Sequence, residues 1–135
     1  MDEILQFLMA YCGSLYNFYE FRFVDSFVYK SFDNDAMLIL ATNELKLKFS
    51  RDRSQLFLEF QSTFDKKKNN WYSFDLIRQL ITGEDEYFSL MNADNAYFFK
   101  KNVDCILDLF SKNKVEATLE KLNRLEKKRS KKLFK

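Results

Sequence analysis

Between residues 21 and 61 apolar side chains recur at every second position, while before and after that stretch they recur at every third and fourth. The first period belongs to a strand and the second to a helix, so this chain carries a block of sheet flanked by helices. Three short polar breaks divide the block. Phe21, Phe23, Phe27 and Tyr29 share one face of a first strand, with Arg22, Val24, Ser26, Val28 and Lys30 opposite. Asp33-Asn34-Asp35 turns the chain into Ala36-Met37-Leu38-Ile39-Leu40-Ala41, a continuous apolar run that predicts a central strand covered on both faces or nearly so. After Thr42-Asn43-Glu44, Leu45, Leu47 and Phe49 alternate with Lys46, Lys48 and Ser50, a half-buried strand whose lysines face water. Arg51-Asp52-Arg53-Ser54 then leads to a fourth strand with Leu56, Leu58 and Phe60 on one face. Connections this short imply antiparallel neighbours and hence a four-stranded meander.

Ile4, Leu8, Tyr11, Leu15 and Phe18 place one N-terminal helix over residues 1–20, its dipole complemented by Asp2 and Glu3. Residues 62–72, with Lys66-Lys67-Lys68-Asn69-Asn70, read as an exposed crossing from sheet to helices. Residues 73–135 form a helical part with a basic tail. Ser73 caps a short helix holding Leu76, Ile77, Leu80 and Ile81 and closed by Gly83. Asn92 or Asp94 starts a second, striped by Phe99, Val103, Ile106 and Phe110, and Val115, Leu119, Leu122 and Leu125 begin the last. The 135 residues therefore predict a single α+β domain: an N-terminal helix, a four-stranded antiparallel sheet over residues 21–61, and three C-terminal helices packed on it.

The chain has no His, which removes Ser-His-Asp and Cys-His nucleophiles, a histidine general base and the usual zinc sites. Cys12 and Cys105 stand far apart and form no CxxC, so no metal and no cofactor is expected, and two free thiols fit a reducing, cytoplasmic setting. The apolar run Phe7 to Cys12 follows acids and is too short for a signal core or a bilayer span, so no membrane association is expected.

Four groups of residues carry chemistry of interest. Arg51, Asp52 and Arg53 place two guanidiniums and a carboxylate in a hairpin, either to fork onto a partner's anions or to pair internally. Trp71 and Tyr72 are either interface anchors or the seal of a helix against the sheet. Glu84, Asp85, Glu86 and Asp94 form an acidic cluster suited to a basic protein partner or to the next helix start. Residues 121–135 hold eight cations against Glu126 alone, a net of +7; with +2 for the whole chain, the first 120 residues carry −5. Such a tail suits nucleic-acid phosphates, or simply a solvated helix end. Asp35 with Glu44-Leu45-Lys46 imitates the acid, acid-x-lysine arrangement of some Mg²⁺ nucleases, although Asp35 lies in a turn and Lys46 belongs to the alternation with Lys48.

Leu47 to Phe60 with its Arg51-Asp52-Arg53-Ser54-Gln55 hairpin, followed by Trp71-Tyr72-Ser73-Phe74-Asp75-Leu76 and Leu80-Ile81-Thr82-Gly83, resembles small bacterial immunity-type proteins of polymorphic or contact-dependent toxin systems. The resemblance covers the middle and C-terminal two thirds. It implies a cytoplasmic, non-enzymatic protein that binds and neutralises one toxin domain by occlusion, and it assigns no site residues. Arg51, Asp52, Arg53, Trp71, Tyr72, Glu84, Asp85, Glu86 and Asp94 are candidate partner contacts on their chemistry alone. The alternative is a nucleic-acid-associated factor using the tail, with a metal-dependent nuclease third. Oligomeric state is not readable from the sequence.

Overall fold

A computed structural model of the chain describes residues 1–29, 35–67, 69–85 and 88–133. The elements run α1 (Asp2–Tyr11), α2 (Gly13–Asn17), β1 (Arg22–Val28), β2 (Ala36–Ala41), β3 (Leu45–Asp52), β4 (Gln55–Ser62), β5 (Tyr72–Ser73), α3 (Phe74–Thr82), α4 (Ala93–Leu109) and α5 (Val115–Leu133). The fold is α+β, as the two periods predict. All strands are antiparallel to their neighbours in the order β1-β2-β3-β4-β5.

The register follows the alternation closely in β3 and β4. Leu47 lies opposite Phe60 and Phe49 opposite Leu58, and all four are buried, while Lys46 and Lys48 lie on the other face partly covered, Lys48 with 20% of its side chain exposed. A one-residue slip would bury the lysines, so the pattern pins the pairing. The helices cover only the face carrying Leu38, Leu40, Leu47 and Phe60. Phe60 is the hub of this core, its ring 6.2 Å from those of Phe74 and Phe99 and stacked 6.3 Å from that of Phe110. Phe7 of α1 reaches Phe49 at 6.0 Å, so α1 packs on the same side.

Four expectations are corrected. The N-terminal helix is two helices, because Cys12 leaves helical geometry (φ −125°, ψ 17°) ahead of Gly13, a poor helix former; Phe18 is consequently solvent-exposed rather than on the buried stripe. The sheet has five strands, since Tyr72–Ser73 pairs with Phe60 and Glu59 within the crossing, a segment too short to show a period. β2 is buried on one face alone, with Met37, Ile39 and Ala41 half-exposed on the other. In β1 an extra residue between Phe23 and Asp25 bulges the strand. Phe23 therefore faces the helix side opposite Leu40, and Phe27 faces the outer side opposite Met37, so the two do not share a face.

The last two helices start where the sequence places them. Asn92 caps α4 by accepting from the Asn95 N–H at 2.9 Å, and Phe99, Val103, Ile106 and Phe110 are buried. The turn residues Asp33-Asn34 and the loop residue Lys68 lie outside the described residues. Among the described residues no helix is long and apolar enough to cross a membrane.

Candidate functional site

The Arg51 hairpin turns inward. Arg51 is buried, and its guanidinium reaches Glu3 of α1 at 2.8 Å, Asp35 at 3.2 Å and the Ser54 hydroxyl at 3.2 Å. Asp35 also accepts from the Arg53 N–H at 3.0 Å. Arg53 and Ser54 both adopt the left-handed backbone (φ 50° and 69°), the geometry a two-residue hairpin demands even without glycine. Arg51 thus ties the N-terminal helix to the hairpin, and of the three residues only Asp52 and Arg53 are exposed.

Trp71 and Tyr72 divide between the faces of the sheet. Tyr72 is fully buried; its hydroxyl donates to Asn123 of α5 at 2.6 Å and receives the Asn70 amide at 2.7 Å. Trp71 is half-buried on the outer face, where the Lys48 ammonium lies 4.5 Å from the ring centre and is itself 3.4 Å from Glu59. Asp35 and Glu44 sit at opposite ends of the β2–β3 hairpin, roughly 20 Å apart at ~3.3 Å per residue. Asp35 is engaged by Arg51, and Glu44 accepts the Lys112 N–H at 2.8 Å, so the nuclease-like trio is not assembled. Among the described residues no three His, Cys, Asp or Glu side chains converge on a metal-sized site.

The α3–α4 connection is different in character. Gly83 ends α3 in the left-handed conformation (φ 80°), its N–H bonded to the Gln79 carbonyl at 2.7 Å, and thereby throws Glu84 and Asp85 outward. Glu86 lies outside the described residues. Phe88 follows at 77% exposure, an apolar ring standing in water. Its backbone is held firmly. Asn95, 3% exposed, donates its amide to the carbonyls of Phe88 at 2.8 Å and Leu90 at 2.7 Å; Leu90 bridges to Phe57 of β4, and the Met91 N–H bonds the Leu56 carbonyl at 2.8 Å. Arg78 links Asn95 and Asp94 at 2.7 and 2.8 Å, leaving Asp94 on the exposed first turn of α4 with the exposed Tyr97 one turn on.

A second knot braces the same loop from below. Asp75 accepts from the Ser73 hydroxyl, from Ser89 at 2.7 Å and from Arg129 of α5 at 2.8 Å. Burial alone would raise its pKa; the bonds from Ser73, Ser89 and Arg129, together with the Arg129 charge, outweigh burial and hold the carboxyl below its ordinary value. Arg129 belongs to the basic tail, so one tail cation is committed internally, and Arg124 pairs with Glu120 one turn back. Lys128 lies across an open groove of about 350 Å³ from Glu84 and Asp85.

Glu84, Asp85, Phe88, Asp94 and Tyr97 are all exposed, on the α3–α4 connection and the first turns of α4, while Arg51 and Tyr72 go to the interior. Sequence reasoning missed Phe88 because an isolated Phe reads as core. Its one signal was position, between an acidic run and a helix cap where no apolar period runs. Comparison with protein-family models, with curated proteins and with solved structures finds no match.

Proposed function

We propose that this chain is a non-enzymatic protein-binding module of the immunity type, which neutralises a toxin domain by occluding part of its surface, and that the α3–α4 connection makes the contact. The observation that carries the reading is Phe88, exposed at 77% on a backbone carbonyl held by Asn95, with the exposed acids Glu84 and Asp85 before it in the chain and Asp94 after it. An aromatic side chain on a rigid loop loses little freedom on binding and supplies a large apolar area, and a surrounding acidic rim draws in a basic partner and fixes its orientation. The fold supports this use, because the stretch from Phe88 to Met91 is tied to β4, α3 and α4 before a partner arrives.

The nucleic-acid reading relies on the tail. There Arg129 holds Asp75 and Arg124 holds Glu120, which leaves fewer cations for phosphates than the sequence count suggests and favours the protein-binding reading. The test is to identify the protein that this chain captures from the cells that produce it, and to titrate that partner with the purified protein by calorimetry. We expect saturable one-to-one binding that suppresses the toxin's activity and is lost in Phe88→Asp. Absence of heat and of inhibition, or retention of both in Phe88→Asp, overturns the proposal.

A further inference from the structure

The sheet has two unequal edges. β5 is a two-residue edge whose Tyr72 is buried, whereas β1 is a seven-residue edge whose apolar side chains Phe23, Val24, Phe27, Val28 and Tyr29 are each 46–55% exposed. Long edges are ordinarily blunted by Pro, Lys or a bulge. Here the chain has no Pro, no Lys falls within β1, and the bulge sits at one end, leaving Asp25 to Tyr29 in regular register with β2. The Tyr29 N–H donates to the Asp35 carbonyl at 2.8 Å, so alternation turns the amide groups of Phe27 toward β2 and those of Ser26 and Val28 toward the open edge. Consistent with that, the Ser26 N–H is held by its neighbour's carboxylate, Asp25 Oδ1, at 2.9 Å.

We propose that this edge is completed by a second copy of the chain, β1 pairing antiparallel with the partner's β1 about a two-fold axis through Phe27. The two five-stranded sheets then become one. Three observations select a self-pairing in this register. Ser26 and Val28 exchange both backbone hydrogen bonds with the partner's Val28 and Ser26, which satisfies every outward group of the regular segment. Phe27 meets the partner's Phe27 at a close, non-hydrogen-bonded position, where an aromatic cross-strand pair is favourable. Asp25 falls opposite the partner's Tyr29, and on losing the Ser26 N–H to the partner's Val28 carbonyl its carboxylate is free to accept the phenol proton. An axis through Asp25 would set two carboxylates face to face, and one through Ser26 would draw the bulged Val24 into the ladder.

At 150–250 Å² for a full aromatic side chain, the half-exposed residues of the edge and Leu5 beside them expose roughly 500 Å² per chain, so the pairing buries at most about 1,000 Å² in all, the low end for a specific interface. That size suits a reversible dimer. The α3–α4 surface lies beyond β4, on the other side of the sheet, so dimerisation leaves it open in both copies and neither proposal depends on the other.

Sedimentation of the full chain between about 1 and about 200 µM should show a monomer–dimer equilibrium with a micromolar dissociation constant. Phe27→Lys, which sets two like charges across the axis at an exposed site, should raise that constant at least about tenfold with the circular dichroism unchanged. In a Cys105→Ser background, Phe27→Cys should oxidise to a disulfide-linked dimer, because directly opposed residues at such a position bring their Cα atoms within disulfide reach of about 4.5 Å. Met9→Cys, more exposed but on α1, should cross-link only at the collisional rate. A wild-type chain that sediments as a monomer at the highest concentration, or equal cross-linking of the two cysteine variants, overturns the proposal. Either failure leaves toxin binding intact, since that is read with Phe88 variants.

Discussion

Cys12 and Cys105 show how far a residue's chemistry is set by its place in the packing. Burial between the first two helices and the sheet pushes the Cys12 thiol up to about 12, so almost no thiolate forms there near neutral pH, while Cys105 stands exposed on α4. A thiol reagent at pH 8 should therefore titrate one equivalent in the folded protein and two in denaturant, and Cys105→Ser should abolish the native reaction. Asp75 carries the matching acid-side prediction. Its pKa is depressed from 3.8, so the stabilisation it contributes is fully present above that value and is lost as pH falls through the lower folded value. Denaturant stability measured between about pH 5 and about pH 2 should fall less steeply in Asp75→Asn than in the wild type, because the variant already lacks that contribution at the upper end. Parallel profiles would place the acid sensitivity elsewhere. Nothing in the sequence marks Asp75: its partners Ser89 and Arg129 are 14 and 54 positions away and meet it only through packing.

The elements differ in how much of them is written locally. The faces of β3 and β4 were legible, because each follows from the alternation and a slip exposes the error as buried lysine, whereas Arg51, Asp52 and Ser62, read as connections, belong to the strands. Leu47→Ala should cost about 2–5 kcal/mol in denaturant unfolding, and Lys46→Ala a few tenths. Equal small losses would contradict the assigned faces. Gly83 was legible as a helix stop for the same local reason: only its backbone, at φ 80°, needs glycine, since a Cβ there meets nothing within 4 Å. Gly83→Ala should accordingly cost about 1–2 kcal/mol through backbone strain alone, with no repacking. What escaped were features set by contacts outside their own segment. The bulge in β1 adds a single residue without altering composition, β5 is two residues long, and the internal pairing of Arg51 depends on Glu3, 48 positions away.

At the scale of the whole molecule, charge and exposed apolar area are distributed to separate places. The helix-covered face of the sheet holds the core, β1 presents an open apolar edge, and the α3–α4 connection presents Phe88 among acids near the far edge. The acidic cluster was visible in the sequence as composition; that an exposed aromatic ring stands in the same connection was not, since exposure is a property of the assembled surface. The central claim is that this surface binds a protein, and binding kinetics with the captured partner test it most directly. Phe88→Ala should accelerate dissociation at least about tenfold while leaving association nearly unchanged, because buried contact area acts after encounter. Glu84→Lys with Asp85→Lys should slow association and flatten its dependence on salt, with thermal stability little altered. If both variants associate and dissociate like the wild type across the salt series, the α3–α4 surface is not where this chain binds, and the claim is contradicted.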